Sequence, residues 1–273
     1  MVEYESGEDY HAICFVASIA PDAEAARQKL VARYGDVPYE DADVIVALGG
    51  DGTMLQTLHR TMTSPKPVFG MNRGSLGFLM NDYSERGLRA RLATAQPSII
   101  HPLLMRTRDV HGEEATARAI NEVSLWRQKY QAAKLSVMVD GRARLPELIA
   151  DGVLVATPAG STAYNLSASG PILPWGSRLM ALTPICAFRP RRWRGAVLPD
   201  RAKVEFEILE SEKRPVAASA DHIEIRDVLR VDVETDHSTS LILLHDAGHP
   251  FDERTLREQF ATEAAERRDE PQV

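Results

Sequence analysis

Asp43 to Leu48 (DVIVAL) runs directly into Gly49-Gly50-Asp51-Gly52-Thr53, and a helical pattern from Thr53 to Met62 follows. A strand this uniformly apolar has no polar face to show to water, so it needs cover on both sides. Glycines at its end let the backbone turn tightly and let a phosphate approach the amides. The segments around it repeat the alternation. His11 to Ile19 reads as a buried strand, and Pro21-Asp22 opens an amphipathic helix over Ala23 to Tyr34. Pro67 to Met71 is a third strand, and Ser84 to Thr94 is a helix ended by Pro97. The pattern predicts an α/β N-terminal domain with a parallel sheet over residues 1–98.

Beyond His101 the texture changes to short runs rich in Val, Ile and Leu. They cover Leu103 to Asp109, Ala115 to Trp126, Lys134 to Val139, Leu148 to Ala156, Lys203 to Leu209, Ile223 to Ile225, Val228 to Glu234 and Leu241 to Leu244. Turn signals such as Asp140-Gly141 separate some of them. This predicts a β-rich, mainly antiparallel C-terminal domain over residues 99–250. Phe251 to Phe260 reads as a terminal helix (251–261), with the option that it packs back on the first domain, and the charged tail after Ala264 is expected to fray.

Composition narrows the function classes. The 273 residues carry a net charge of −7, with 44% hydrophobic and 26% charged residues. Such a balance offers no general attraction for nucleic acid or an anionic membrane. An anionic ligand would have to be held by local donors, backbone amides and a metal. Cys14 and Cys186 read as buried structural thiols, with no disulfide framework. The longest apolar run, around Val44 to Leu48, is far shorter than the ~20 residues that span a bilayer. Glu3, Glu5, Glu8 and Asp9 stand where a signal peptide would be basic, so a cytoplasmic location is expected.

The glycine turn is the sharpest candidate site. Thr53 opens the following helix, where free N–H groups and the helix dipole favour an anion. A carboxylate in such a turn, Asp51, is useful if it holds Mg²⁺ or takes a proton from a nucleophile; otherwise it caps the helix. The turn is not the GxxxxGK[ST] pattern, and no GxGxxG occurs in the chain. A second glycine cluster, Asn72-Arg73-Gly74-Ser75-Leu76-Gly77-Phe78-Leu79, follows the third strand and could share a crevice with the first. Further on, Asp151 to Pro158 leads into Ala159 to Ser167 and then Ala168-Ser169-Gly170-Pro171. Small and hydroxylic residues there can supply hydrogen bonds, and Tyr164 offers a flat face to a purine. Asn121-Glu122 lies within an apolar β run. Adjacent residues of a strand face opposite ways, so one of the pair points inward unless the strand is an exposed edge. The eight histidines show no HExxH or Cys/His spacing, and no zinc site is expected.

In combination, LGGDGTML, the Asn121-Glu122 pair, DGVLVATPAGSTAYNLSASGP and the downstream ALTPIC resemble the bacterial NAD kinase family, in the right order from Val44 to Val233. GGDGT alone is shared with diacylglycerol and sphingosine kinases and approximately with phosphofructokinases; the longer combination is specific. The resemblance implies an α/β domain and a β-rich domain with the site in the cleft between them, NAD and ATP as substrates, Mg²⁺ bound with ATP, and homodimers or homotetramers. It implies that Asp51 is the proton acceptor and that Gly49, Gly50, Gly52 and Thr53 form the phosphate loop. Asn121 and Glu122 would contact the dinucleotide, and Asp151 would lie on its nicotinamide side. Thr162, Ala163, Tyr164, Asn165, Leu166 and Ser167 would hold the adenosine half, with Tyr164 beside the adenine.

There are departures from the family pattern. Asp221-His222 stands where members often have Asp-Gly, and His222 could touch phosphate. The basic run Phe188 to Arg194 replaces a less basic stretch and could meet phosphates, a neighbouring subunit, or only solvent. Two other classes share parts of the pattern: another GGDGT kinase acting on a lipid or sugar, and a non-catalytic NAD(P)-binding regulator.

Overall fold

A computed structural model describes residues 10–74, 77–248, 253, 256, 259 and 260. The chain forms two units, one from residues before 101 and after 238, the other from residues 101–238. The first contains β1 (Ile13–Ala17), α1 (Pro21–Tyr34), β2 (Val44–Gly49), α2 (Asp51–Thr61), β3 (Val68–Asn72), α3 (Leu88–Thr94) and β4 (Gln96–Ile100). The second contains β5 (Leu103–Asp109), β6 (Glu114–Ala119), β7 (Glu122–Arg127), β8 (Ala133–Val139), β9 (Arg142–Ala150), β10 (Gly152–Ala156), α4 (Tyr164–Ser167), β11 (Leu179–Ile185), β12 (Ala196–Pro199), β13 (Val204–Ile208), β14 (Val216–Ala220), β15 (Ile223–Ile225) and β16 (Val228–Thr235). The chain then returns to the first unit with β17 (Leu241–His245).

The first sheet has the order β1-β2-β3-β17-β4. β1, β2, β3 and β17 pair in parallel, as the apolar pattern predicts, while β4 runs antiparallel to β17. All six residues of β2 are buried. One face packs Val44, Val46, Leu48, Phe69 and Met71 with Leu30 of α1 and with Leu88 and Leu92 of α3. On the other face the Met54 side chain of α2 lies over Gly70, where a Cβ would come within 2.4 Å of it. Pro21 starts α1 at the position where its missing N–H costs nothing.

The second unit has two six-stranded sheets, β12-β11-β10-β7-β14-β15 and β6-β5-β16-β13-β8-β9, with every adjacent pair antiparallel. Their inner faces share one core that includes Met105, Val123, Leu125, Val137, Val155, Phe206 and Val231.

Several expectations change. Leu241 to Leu244, read as part of the β-rich region, belongs to the first sheet, between β3 and β4. The run Ala115 to Trp126 is two strands broken at Ile120-Asn121, and Leu148 to Ala156 is two strands broken at Asp151. The helix expected from Ser84 starts only at Leu88, after Gly87 in the left-handed conformation. β11, β12 and β14 had no clear signal; Pro184 lies inside β11, and proline argues against a strand interior. Of the expected terminal helix, Glu253, Leu256 and Gln259 are helical, and the remaining positions and the tail lie outside the described residues.

Candidate active site

In the first unit, β2 ends at Gly49, Gly50 is the N-cap of α2, and Asp51 is the first helical residue. Gly49 is required by close approach: a Cβ there would lie 2.2 Å from the Thr53 Oγ1, which folds back over it. Asp51 does not cap its own helix. Its carboxylate crosses to the second glycine cluster, accepting from the backbone N–H of Phe78 (2.8 Å) and of Leu79 (2.8 Å). Arg73 N–H also donates to the Gly49 carbonyl (2.8 Å), so the two glycine loops lie side by side at the carboxyl ends of β2 and β3. Ser75 and Leu76 lie outside the described residues. Gly52 is exposed, and among the described residues no atom lies within 4 Å of the place where its Cβ would be. A partly exposed carboxylate thus sits at the positive end of a helix, next to open space beside backbone amides. That arrangement can orient a hydroxyl and take its proton while the helix start faces an anion.

In the second unit, Asn121-Glu122 does not lie on a sheet edge, because β7 sits between β10 and β14. The break before it is held by Asp221, whose carboxylate accepts from the backbone N–H of Ile120 (2.7 Å), Asn121 (3.0 Å) and Glu122 (3.3 Å). Asp221 N–H returns a bond to the Glu122 carbonyl (3.1 Å). Asp221 has φ of 49°, a left-handed conformation that Asp tolerates better than most residues. Its neighbour His222 is exposed. Glu122 carries a buried Oε2 with no hydrogen-bond partner among the described residues. Burial, and secondarily the charge of Asp221, push its carboxyl up to about 7.

The Ala159–Ser167 segment docks on the same break. Thr157 N–H donates to the Asn121 carbonyl (2.9 Å), and Thr157 Oγ1 donates to the Ile120 carbonyl (2.6 Å). A Cβ on Gly160 would fall 2.2 Å from the Asn121 carbonyl oxygen, so only glycine permits this packing. Asn165 is fully buried and holds the loop from inside. Its amide donates to the Ser161 and Pro171 carbonyls and accepts from Thr183 Oγ1 (2.7 Å). Tyr164 is half-buried over Leu154 and Ala156, and desolvation raises its hydroxyl pKa. Thr162, Ala163 and Leu166 are partly exposed and Ser167 is exposed. Asp151 accepts from Arg127 Nε (2.6 Å), and both residues line a pocket of about 490 Å³ with Tyr164 and Trp126.

The profile of the ATP-NAD kinase N-terminal domain matches residues 22–90, and that of the ATP-NAD kinase C-terminal domain matches residues 120–241. The NAD kinase of Caulobacter vibrioides is 57% identical over 249 residues, covering 91% of this chain and 96% of that one. This chain belongs to the NAD kinase family. The NAD kinase of Rhizobium meliloti is likewise 57% identical, over 252 residues, covering 92% of this chain and 98% of its own. The fold is that of yeast NADH kinase complexed with NADH (TM-score 0.82, 22% identity, 94% of this chain and 89% of that one). It is also that of an NAD kinase from Archaeoglobus fulgidus in complex with ATP (TM-score 0.72, 22% identity, 91% and 97% covered). The chain is thus an ATP-dependent NAD kinase, a phosphotransferase.

Beside these NAD kinase motifs, the sequence names Asp221 without giving it a role, and it gives none to Trp126. Asp221 had a usable signal, since Asp221-His222 is a two-residue link between β14 and β15 of the kind hairpins favour. Trp126 had none, because only strand pairing brings it beside Asp151 and Tyr164. Among the described residues no helix is long and apolar enough to cross a membrane.

Proposed function

We propose that this chain transfers the γ-phosphoryl group of ATP to the adenosine 2′-hydroxyl of NAD, giving NADP, with Asp51 accepting the hydroxyl proton. The observation that carries this assignment is the Asp51 carboxylate, held by the Phe78 and Leu79 amides at the carboxyl end of β2. In open parallel sheets that is where ligands bind. The 2′-oxygen bonds to the γ-phosphorus as the bond to the bridging oxygen breaks, and ADP leaves with that electron pair. Little covalent help is needed for such a transfer; positioning and charge stabilisation dominate. The Gly49–Thr53 turn would receive phosphate on its amides. Asn121, Glu122, Thr162, Ala163, Tyr164, Leu166, Ser167 and Asp151 would hold the dinucleotide. Asn165 would act through the loop it supports, and His222 is offered to phosphate.

A hard divalent ion would be ligated mainly by phosphate and water, with Asp51 the carboxylate of the turn. Magnesium bound by ATP would offset the phosphate charge. In this reading the enzyme works in the cytoplasm as a homodimer or homotetramer, without nucleic-acid or membrane partners.

The test is to incubate the purified chain with NAD and Mg-ATP and couple product to an NADP-specific dehydrogenase. NADPH should accumulate, and excess chelator should stop it. No NADPH from NAD and Mg-ATP, or full activity in chelator, would refute the assignment. Sedimentation of the same sample reads the oligomer.

A further inference from the structure

On β7 the core residues Val123 and Leu125 alternate with Glu122, Ser124 and Trp126. The latter three therefore share the other face of the sheet. Gly152 on β10 stands in register with Trp126 on one side and with Ile185 of β11 on the other. Glycine is required there by close approach, since a Cβ would lie 2.1 Å from the Leu125 carbonyl oxygen. Trp126, Asp151, Tyr164 and Ile185 line the pocket of about 490 Å³ at this place. Trp126 keeps 40% of its surface exposed in a protein that buries most of its large apolar side chains. A partly exposed indole on the wall of a pocket is a platform for a flat ring.

We propose that Trp126 is a specificity-determining residue whose indole stacks on the nicotinamide ring of NAD and favours its oxidised, cationic form over the neutral dihydronicotinamide of NADH. This rests on the proposed function above. Tryptophan has the strongest cation–π face of the aromatic side chains. Asp151 in the same pocket is paired with Arg127 at 2.6 Å, so the pair is close to neutral and the preference rests on the indole face. Lys129, exposed on the rim, is left for the phosphate that a nicotinamide nucleotide carries. A neutral ring gains dispersion on the indole but loses the charge–quadrupole attraction, and the difference is the discrimination.

The experiment is steady-state kinetics of the full chain and of Trp126→Ala and Trp126→Phe at saturating Mg-ATP. NADH is read as a competitor of NAD, whether or not it is turned over. Trp126→Ala should raise KM for NAD about tenfold, and shift the inhibition constant of NADH by less than about twofold. Trp126→Phe should lie between wild type and alanine. Equal shifts for NAD and NADH, or none, would overturn the proposal.

A second measurement does not depend on the alanine variant folding. The chain has three tryptophans. Nicotinamide mononucleotide should quench part of the wild-type emission and none of that part in Trp126→Phe, and AMP should quench neither. Quenching by AMP alone would assign the platform to adenine and end this reading. A wild type that makes no NADPH fails the function; a competent wild type with unaltered Trp126 variants fails only this inference.

Discussion

Asp51 accepts from the backbone N–H groups of Phe78 and Leu79, which fix its carboxylate in place. Asp51→Asn removes the proton acceptor and also turns an N–H₂ toward one of the Phe78 and Leu79 amides. Turnover should fall by about 10²–10⁴-fold, with NAD affinity within a few-fold. Turnover near wild type, with NAD titrated in parallel, would leave Asp51 only the task of joining two loops. Glu122 makes a pH-dependent prediction. Its carboxyl is raised to about 7 in the fold, against an ordinary value of 4.5. Between those values the folded state binds the extra proton, so the contribution of Glu122 to stability is lost as pH rises through that window. Glu122→Gln has no charge to bury. It should melt with wild type at pH 5 and above it at pH 8, by roughly 2–8 °C for ~1–2 kcal/mol. Equal melting differences at both pH values would show that the carboxyl is not held in its neutral form.

At the scale of elements, the site is a set of strand ends and tight turns kept in place by single close contacts. The Ala159–Ser167 segment rests on the Asn121 carbonyl through Gly160, with 2.2 Å between that oxygen and any added Cβ. Gly160→Ala must therefore lift the segment or distort the break before β7. We expect a loss of about 1–3 kcal/mol in denaturant titrations, in line with overpacking, and a higher KM for NAD. A variant with wild-type stability and KM would mean that Tyr164 and its neighbours are not positioned by this contact. The segment itself was readable because small and hydroxylic residues and a Gly-Pro stop mark a structured turn. What it rests on was not readable, since Asp221 meets Ile120 and Asn121 across a separation of 101 and 100 residues. Nothing in local composition encodes such a pairing. Asn165 shows the same limit: it sits among the loop's candidate ligands, but its amide is enclosed by Ser161, Pro171 and Thr183.

For the molecule as a whole, the return of the chain after residue 238 matters most. β17 lies inside the first sheet, between β3 and β4, and Leu241, Leu243 and Leu244 are almost wholly buried. Asn81 adds to the tie, donating to the Leu244 carbonyl and accepting from the Asp246 N–H. A chain cut after Ser238 would expose the facing edges of β3 and β4, which attract other strands. It should lose the cooperative melt of the first unit and aggregate, as read by calorimetry and light scattering. A soluble truncation with an intact first unit would show β17 to be dispensable.

The sequence alone determined the local devices: an all-apolar strand that must be covered, a glycine turn that admits phosphate, a long small-residue loop, and a motif order that indicates NAD kinase. The first three follow from sterics and hydrophobicity acting over a few neighbouring residues, and the last from resemblance to a known family. Only the tertiary structure decided that Leu241–His245 completes the first sheet, that Asp51 joins two glycine loops, that Asp221 holds the strand break at Asn121, and that Trp126 borders the Asp151 pocket. Those outcomes depend on which distant strands pair and in what register. Many strands of similar Val, Ile and Leu content compete for the same partners, and the choice is made by the packing of the whole core rather than by any local preference.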